Sequence, residues 1–226
     1  MRRILVALLS LLAVNAQADQ TTAFAKLRAA TTHIDIGTGF LVKGKSGRIF
    51  MVTNFHVCTN ERGMQPYVHG STQEGHSFVG RIAFLSPDTD LCAISVNQED
   101  AKGQALEIGA HFPYDGIMYT RGYPHGVVGE FKGIYAGQFE WYITFAIDEV
   151  GVCPKNFTKI FDTYGKLIGC TKQFTSLRTT HFSLPGSSGS PVVNEQGQLI
   201  AVLHAGGPDG AGLIPLESVK LFLDSL

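Results

Sequence analysis

From Ile34 onward the chain is a succession of short apolar runs cut off by turn residues, and this rhythm constrains the fold more than any other feature. Short runs rich in Val, Ile and Phe read as strands and leave little room for long helices. Thr38–Val42 and Ile49–Thr53 flank a Lys43-Gly44-Lys45-Ser46-Gly47 turn as a hairpin. Further strands are predicted at Ser77–Phe84, Leu91–Val96, Ile117–Arg121, Gly133–Gly137 and Phe139–Ile147, then at Thr179–Phe182, Pro191–Val193 and Leu199–Leu203. The 26 glycines suit the many turns this requires. Leu216–Leu226 carries Val219, Leu221, Phe222 and Leu226 at helical spacing and is predicted to be a closing helix. Such a pattern implies an all-β barrel or sandwich. Gly103 to Pro113 reads as a connector between two strand-rich halves, which favours two β-barrels.

The start of the chain reads differently. Arg2 and Arg3 precede an apolar stretch, Ile4 to Val14, that is too short to span a bilayer, and Ala16-Gln17-Ala18 has the small-x-small form of a cleavage site. Residues 1–18 are therefore expected to be a signal peptide of bacterial type, and the product to be exported to the periplasm or the medium without stable membrane association. Residues 19–33 read as an N-terminal arm, a short helix or extended segment leading into a domain at 34–226. With 44% hydrophobic residues and a net charge of −1, the chain can bury a proper core and lacks the basic excess of a nucleic-acid binder.

Export also changes how Cys58, Cys92, Cys153 and Cys170 read, because disulfides persist in oxidising compartments. Four cysteines permit three pairings, of which Cys153 with Cys170 is local. No C-x-x-C or H-x-x-x-H spacing is present, so neither a metal nor another cofactor is expected. His33, His69, His76, His111, His125 and His181 read as surface or structural residues. Phe131, Tyr135, Phe139, Trp141 and Phe145 form a strand-period aromatic set that reads as core.

Three segments carry chemistry. Val52-Thr53-Asn54-Phe55-His56-Val57-Cys58 puts a histidine at the end of a strand, Asp88-Thr89-Asp90-Leu91-Cys92-Ala93-Ile94 puts an acid at the entry to one, and Gly186-Ser187-Ser188-Gly189-Ser190-Pro191 puts a serine in a glycine-rich turn. A serine hydroxyl is a poor nucleophile and needs an imidazole to take its proton. A carboxylate on the other ring nitrogen fixes the tautomer, and backbone N–H groups beside a glycine can meet the oxyanion. The chain order His, Asp, Ser argues against a lipase or esterase, where the acid lies between serine and histidine.

These blocks resemble the signature segments of the chymotrypsin-like serine proteases, and most closely the bacterial branch of glutamyl endopeptidases and HtrA-type protease domains. Gly37-Thr38-Gly39-Phe40-Leu41-Val42 and Gly122-Tyr123-Pro124 are similar to the same branch, and the likeness runs from about Gly37 to Leu216. It implies two six-stranded antiparallel barrels, at about 34–104 and 114–214, with a C-terminal helix at 216–226. It implies a secreted, monomeric serine endopeptidase acting on polypeptides through an acyl-enzyme. By carry-over His56 is the base, Asp90 its orienting acid and Ser188 the nucleophile, with the Gly186 and Ser188 N–H groups as oxyanion hole. The family's register selects Asp90 over Asp88, which follows Pro87 as a turn residue. Because Cys58 and Cys92 each lie two residues beyond a triad member, the likeness also supports a Cys58–Cys92 bond and leaves Cys153–Cys170 as the second.

The chain departs from the digestive enzymes at Ser187, where they carry an aspartate that pairs with a new N-terminus, so their activation switch is not expected. Phe182, Ser183, Leu203 and His204 are the expected pocket residues. Phe182 in place of an acid argues against a preference for Lys or Arg. His204 resembles the histidine with which glutamyl endopeptidases read an acidic or amide side chain, but ungapped counting puts Leu203 at that position and turns His204 away. The alternative function is a protease-fold binding protein without catalysis.

Overall fold

The computed structural model describes residues 20–60, 63–64, 66–72, 74–97, 102–146 and 153–226. The expected signal peptide lies outside them. Residues 20–30 form a helix, α1, whose Ala23, Phe24, Leu27 and Ala30 are all buried. Their spacing puts them on one face of the helix. That face enters a core cluster with Phe40, Val42, Tyr119, Val202 and Phe222, and Phe24 meets Tyr119 edge-on at 5.4 Å. The segment read as a lead-in arm is therefore part of the core.

The first half follows as β1 (Thr31–Ile34), β2 (Gly37–Lys43), β3 (Ile49–Asn54), the single-turn helix α2 (Phe55–Cys58), β4 (Thr59–Asn60), β5 (Gly63–Met64), β6 (Tyr67–Ser71), β7 (Ser77–Ser86) and β8 (Leu91–Ser95). Six of these strands close a barrel in the order β1-β2-β3-β8-β7-β6, with β4 and β5 pairing separately. β2 and β3 bury nearly every residue because one face fills the barrel and the other packs on α1 and the second half. A disulfide joins Cys58 to Cys92, Cα atoms 6.6 Å apart.

The connector bonds to both halves. Leu106 N–H donates to Leu41 O at 2.9 Å, and Leu199 N–H donates to Glu107 O at 2.7 Å. The second half comprises β9 (Met118–Gly122), β10 (Gly129–Gly133), β11 (Tyr135–Ala146), β12 (Thr158–Phe161), β13 (Leu167–Thr179), β14 (Pro191–Val193), β15 (Leu199–Gly207), β16 (Gly210–Pro215) and the helix α3 (Leu216–Leu223). Its sheet runs β10-β9-β14-β15-β16-β13-β11, with β12 beside β13. The two edge strands β10 and β11 are separated only by Ile134, so one bent chain segment joins both ends of the sheet. Counted that way, the path holds the six strands expected of the fold.

β11 and β13 continue far past the barrel as a long hairpin, paired from Tyr135↔Thr179 out to Ala146↔Gly169. A second disulfide, Cys153–Cys170, staples it with Cα atoms 5.8 Å apart. The sequence placed a strand at Thr179–Phe182, whereas β13 ends at Thr179. Outside buried Gly169 and Cys170 its outer part is exposed or half-buried, and polar Thr171, Lys172, Gln173 and Thr175 interrupt the apolar signal. The Lys172 ammonium forms an ion pair with Asp88, tying the hairpin to the turn before β8.

Candidate active site

The Asp90–His56 pair is built by β3, α2 and β8. Asp90 closes the turn after β7, with its N–H donating to Pro87 O at 3.4 Å and a left-handed φ of 53°. Aspartate tolerates that conformation better than most residues. Its carbonyl accepts from Phe55 N–H at 3.0 Å and from Asn54 Nδ2 at 3.1 Å, which pins the turn to the end of β3. The Asp90 carboxylate is buried and accepts from the His56 backbone N–H at 3.2 Å. It also lies 3.1 Å (Oδ1) and 3.0 Å (Oδ2) from His56 Nδ1.

A carboxylate can only accept, so Nδ1 carries the proton and Nε2 is left as the acceptor. Burial disfavours the imidazolium, but the charge and hydrogen bond of Asp90 outweigh it, so the His56 pKa is raised above the ordinary 6.5. Asp88, by contrast, faces Lys172 and not His56.

Ser188 sits between β13 and β14 in a loop whose carbonyls are held one after another. Pro185 O accepts from His125 N–H at 2.7 Å. Gly186 O accepts from Thr38 Oγ1 at 2.8 Å. Ser187 O accepts from Ser190 Oγ at 2.6 Å and from Ser190 N–H at 3.0 Å. Ser188 O accepts from Thr38 N–H at 2.8 Å.

In a trans peptide the N–H points opposite to the C=O. The Gly186 and Ser188 N–H groups are therefore turned away from these anchors. Ser187 N–H donates to Leu184 O and Gly189 N–H to Leu203 O, each at 2.9 Å. Among the described residues, the Gly186 and Ser188 N–H groups have no protein acceptor. Gly186 is required by its φ of 97°, and a Cβ there would lie 2.3 Å from Tyr123 O.

His56 and Ser188 line one cleft of about 350 Å3 together with Trp141, Ser183 and His204. The Ser188 hydroxyl donates to His204 O at 3.2 Å, its one hydrogen bond among the described residues. Its proton thus rests on that carbonyl and not on His56.

Two of the four expected pocket residues lie in the cleft and two lie elsewhere. Ser183 lines it, buried. His204 lines it as well, against the alternation argument, because a bulge interrupts β15 between Leu203, opposite Leu213, and Ala205, opposite Gly212. The extra residue in a bulge shifts the facing of its strand. Leu203 is instead buried in the core of the second half. Phe182 is part-exposed and packs on Phe131 at 5.4 Å, outside the cleft lining.

His204 Nε2 lies 2.7 Å from Ser176 Oγ, which donates to Leu213 O at 3.1 Å. That donation makes Oγ the acceptor from Nε2–H, leaving Nδ1 without a proton and buried without a partner. Burial lowers the His204 pKa to about 4, so the ring is neutral. Trp141 meets this ring edge-on at 5.4 Å and also lines the cleft, although the sequence read its aromatic set as core. Its strand was legible, but the pairing with β13 that carries Trp141 to the cleft was not. Thr38 was likewise visible only as part of a family-like strand.

The trypsin-like peptidase domain family model matches residues 37–202. Curated relatives described as serine protease HtrA-like, from Staphylococcus aureus strains USA300 and NCTC 8325, are 26% identical over 171 residues. The match covers 76% of this chain and 20% of each relative, so the chain spans about a fifth of their length. Among solved structures, an inactive form of the Rv3671c protease from M. tuberculosis superposes with a TM-score of 0.64 at 16% identity, covering 93% of this chain and 92% of that one. The active form of the same protease gives 0.63 at 16% identity, covering 90% and 83%. An HtrA-type protease, AlgW, solved with a tripeptide, gives 0.64 at 16% identity, covering 91% and 62%. These structural likenesses establish the fold.

Proposed function

The chain belongs to the trypsin-like peptidase domain family of serine endopeptidases, and on that premise we propose that it cleaves polypeptides through Ser188, His56 and Asp90, on the HtrA-like side of the family. The observation that carries this reading is the Asp90–His56 contact beside a serine whose loop offers two unclaimed N–H groups. Rotation about the Ser188 side chain moves its hydroxyl from His204 O toward His56 Nε2. As Oγ attacks the peptide carbonyl, Nε2 takes its proton, and Asp90 stabilises the imidazolium. The carbonyl oxygen, now negative, accepts from the Gly186 and Ser188 N–H groups. His56 then protonates the departing amine, which leaves an ester on Ser188. Water adds to that ester with His56 again as base, releasing the acid and restoring the hydroxyl.

The cleft wall also bears on specificity. Its described lining residues include no carboxylate, whereas a Lys or Arg side chain would need one, and neutral His204 presents a polar ring there. With Nε2–H committed to Ser176 and Nδ1 unprotonated, that ring can accept but not donate, so we expect amide or apolar residues before the scissile bond. The disulfides fit an exported, periplasmic or extracellular protein. No helix among the described residues is long and apolar enough to cross a membrane.

The second reading is a binding protein on a protease fold. The observation in its favour is the Ser188 hydroxyl resting on His204 O. Digestion of a peptide library separates the two: turnover by the wild type and none by Ser188→Ala supports the peptidase. Equal inactivity of both supports binding alone, and dominant cleavage after Lys or Arg contradicts the pocket reading.

A further inference from the structure

The nucleophile loop carries Ser187 where an aspartate could be held by an N-terminal ammonium, yet the four carbonyls from Pro185 to Ser188 are all anchored. Two of the four anchored carbonyls are held by one residue of the opposite half. Thr38, fully buried in β2, donates its N–H to Ser188 O at 2.8 Å and its hydroxyl to Gly186 O at 2.8 Å. Its Oγ1 in turn accepts from Tyr123 N–H at 3.0 Å. A backbone N–H can only donate, so this contact occupies a lone pair of Oγ1 and commits the hydroxyl proton to Gly186 O.

Thr38 is itself held, because Thr53 Oγ1, three residues before His56, donates to Thr38 O at 2.8 Å. Gly189 packs directly beneath this junction, where a Cβ would lie 2.1 Å from Thr38 O and 2.3 Å from Thr53 Oγ1. A continuous line of hydrogen bonds thus runs from the strand bearing His56, through Thr53 and Thr38, to both sides of Ser188.

We infer that Thr38 is the positioning residue of the oxyanion hole, its hydroxyl fixing the Gly186 peptides in place of an N-terminal ammonium–carboxylate pair. Gly186 has no side chain to restrict its backbone, so its orientation depends on contacts made by the carbonyls on either side of its Cα. Pro185 O is fixed from within the second half by His125 N–H. Gly186 O is fixed from the first half by the Thr38 hydroxyl. Without that hydroxyl, both Gly186 O and Tyr123 N–H lose a partner, and the Gly186–Ser187 peptide, which links the two donor peptides, is free to turn about the Gly186 Cα and disturb both. The backbone donor of Thr38 to Ser188 O survives any substitution except proline.

This inference rests on Ser188 being the nucleophile, and the experiment keeps the two apart. Thr38→Val removes the hydroxyl while keeping the shape, and Thr38→Ser keeps the hydroxyl. Both variants of the mature chain are compared with wild type for kcat, KM and affinity for a peptidyl aldehyde, which forms the tetrahedral oxyanion on binding. Thr38→Val should lose kcat by about 10²-fold, the size of the effect of one oxyanion donor. Aldehyde affinity should fall in parallel, KM should stay within a few fold, and Thr38→Ser should recover most of the loss.

A merely structural Thr38 would lower thermal stability and leave kcat per active site unchanged; that result, or an equal kcat loss in Thr38→Ser, overturns the inference. If Thr38→Val does not fold, Thr38→Ala against Thr38→Ser makes the same comparison of hydroxyl absent against hydroxyl present. A wild type that neither cleaves peptide nor binds aldehyde covalently refutes the nucleophile reading itself.

Discussion

The two sides of the cleft are prepared to different degrees. On the first half, His56 and Asp90 are already in contact, and the turn that carries Asp90 is bonded to β3 from both backbone and side chain. On the second half, the loop backbone is set but the Ser188 hydroxyl rests on the His204 carbonyl. The acid–base pair follows from adjacent strands, since β3 and β8 are neighbours and Asn54 lies opposite Leu91. The Ser188 loop follows from no strand register and depends on single hydrogen bonds from elsewhere. One side is rigid by topology, and the other is positioned by individual donors.

Substitutions on the two sides should therefore differ in size and kind. Removing the nucleophile should have the largest effect: Ser188→Ala should lower kcat by about 10⁶-fold, read as peptide hydrolysis against a blank. Asp90→Asn should follow at about 10⁴-fold, because an amide beside Nδ1 selects the wrong tautomer. Gly186→Ala should cost about 10²- to 10³-fold in kcat, since a Cβ meeting Tyr123 O displaces the peptide that offers one oxyanion donor. Equal losses in Asp90→Asn and Gly186→Ala would erase the distinction between the two sides.

The core helix tests both sides at once. Leu27 is fully buried in the cluster shared by the two halves. Leu27→Ala should destabilise the fold by about 2–5 kcal/mol in a denaturant titration, with kcat per folded molecule unchanged. Proteolytic removal of α1 should likewise unfold the chain, read as loss of the cooperative transition in the same titration.

Titration sharpens the comparison further. His56 must be neutral to act as base, and its pKa is raised above 6.5, so the acid limb of kcat/KM should have its midpoint above pH 6.5. In Asp90→Asn the raising contributions vanish and burial remains, so the midpoint of any residual activity should move down. Global stability should respond in the other sense. Buried His181 and His204 take protons only near pH 4 when folded, but near 6.5 when unfolded. Between those values the unfolded chain binds more protons, so stability falls as pH drops, measurable as a declining Tm.

The sequence disclosed the rigid side better than the positioned one. β2, β3 and β8 alternate or run apolar between clear turns, and the His56 and Asp90 blocks sit at the ends of β3 and β8. α1 stayed ambiguous because two of its core contacts are alanines, which carry little apolar signal. Counting misplaced His204, because a bulge leaves no mark in residue spacing yet reverses which side chain faces the cleft. The role of Thr38 depends on partners more than 80 residues away in the chain, Tyr123 and Gly186, and no local pattern announces such contacts. One strand of the long hairpin was legible, since the strand predicted at Phe139–Ile147 falls on β11, but its partner β13 was not, because polar Thr171, Lys172, Gln173 and Thr175 interrupt its apolar residues.

The central claim is that Ser188, activated by His56, forms a covalent intermediate. Its most direct test is reaction of the folded mature protein with a fluorophosphonate, followed by intact mass and peptide mapping. One adduct per chain is expected, located on Ser188, absent in Ser188→Ala and greatly slowed in His56→Ala. No adduct on folded wild-type protein, or an adduct on another residue, would contradict it.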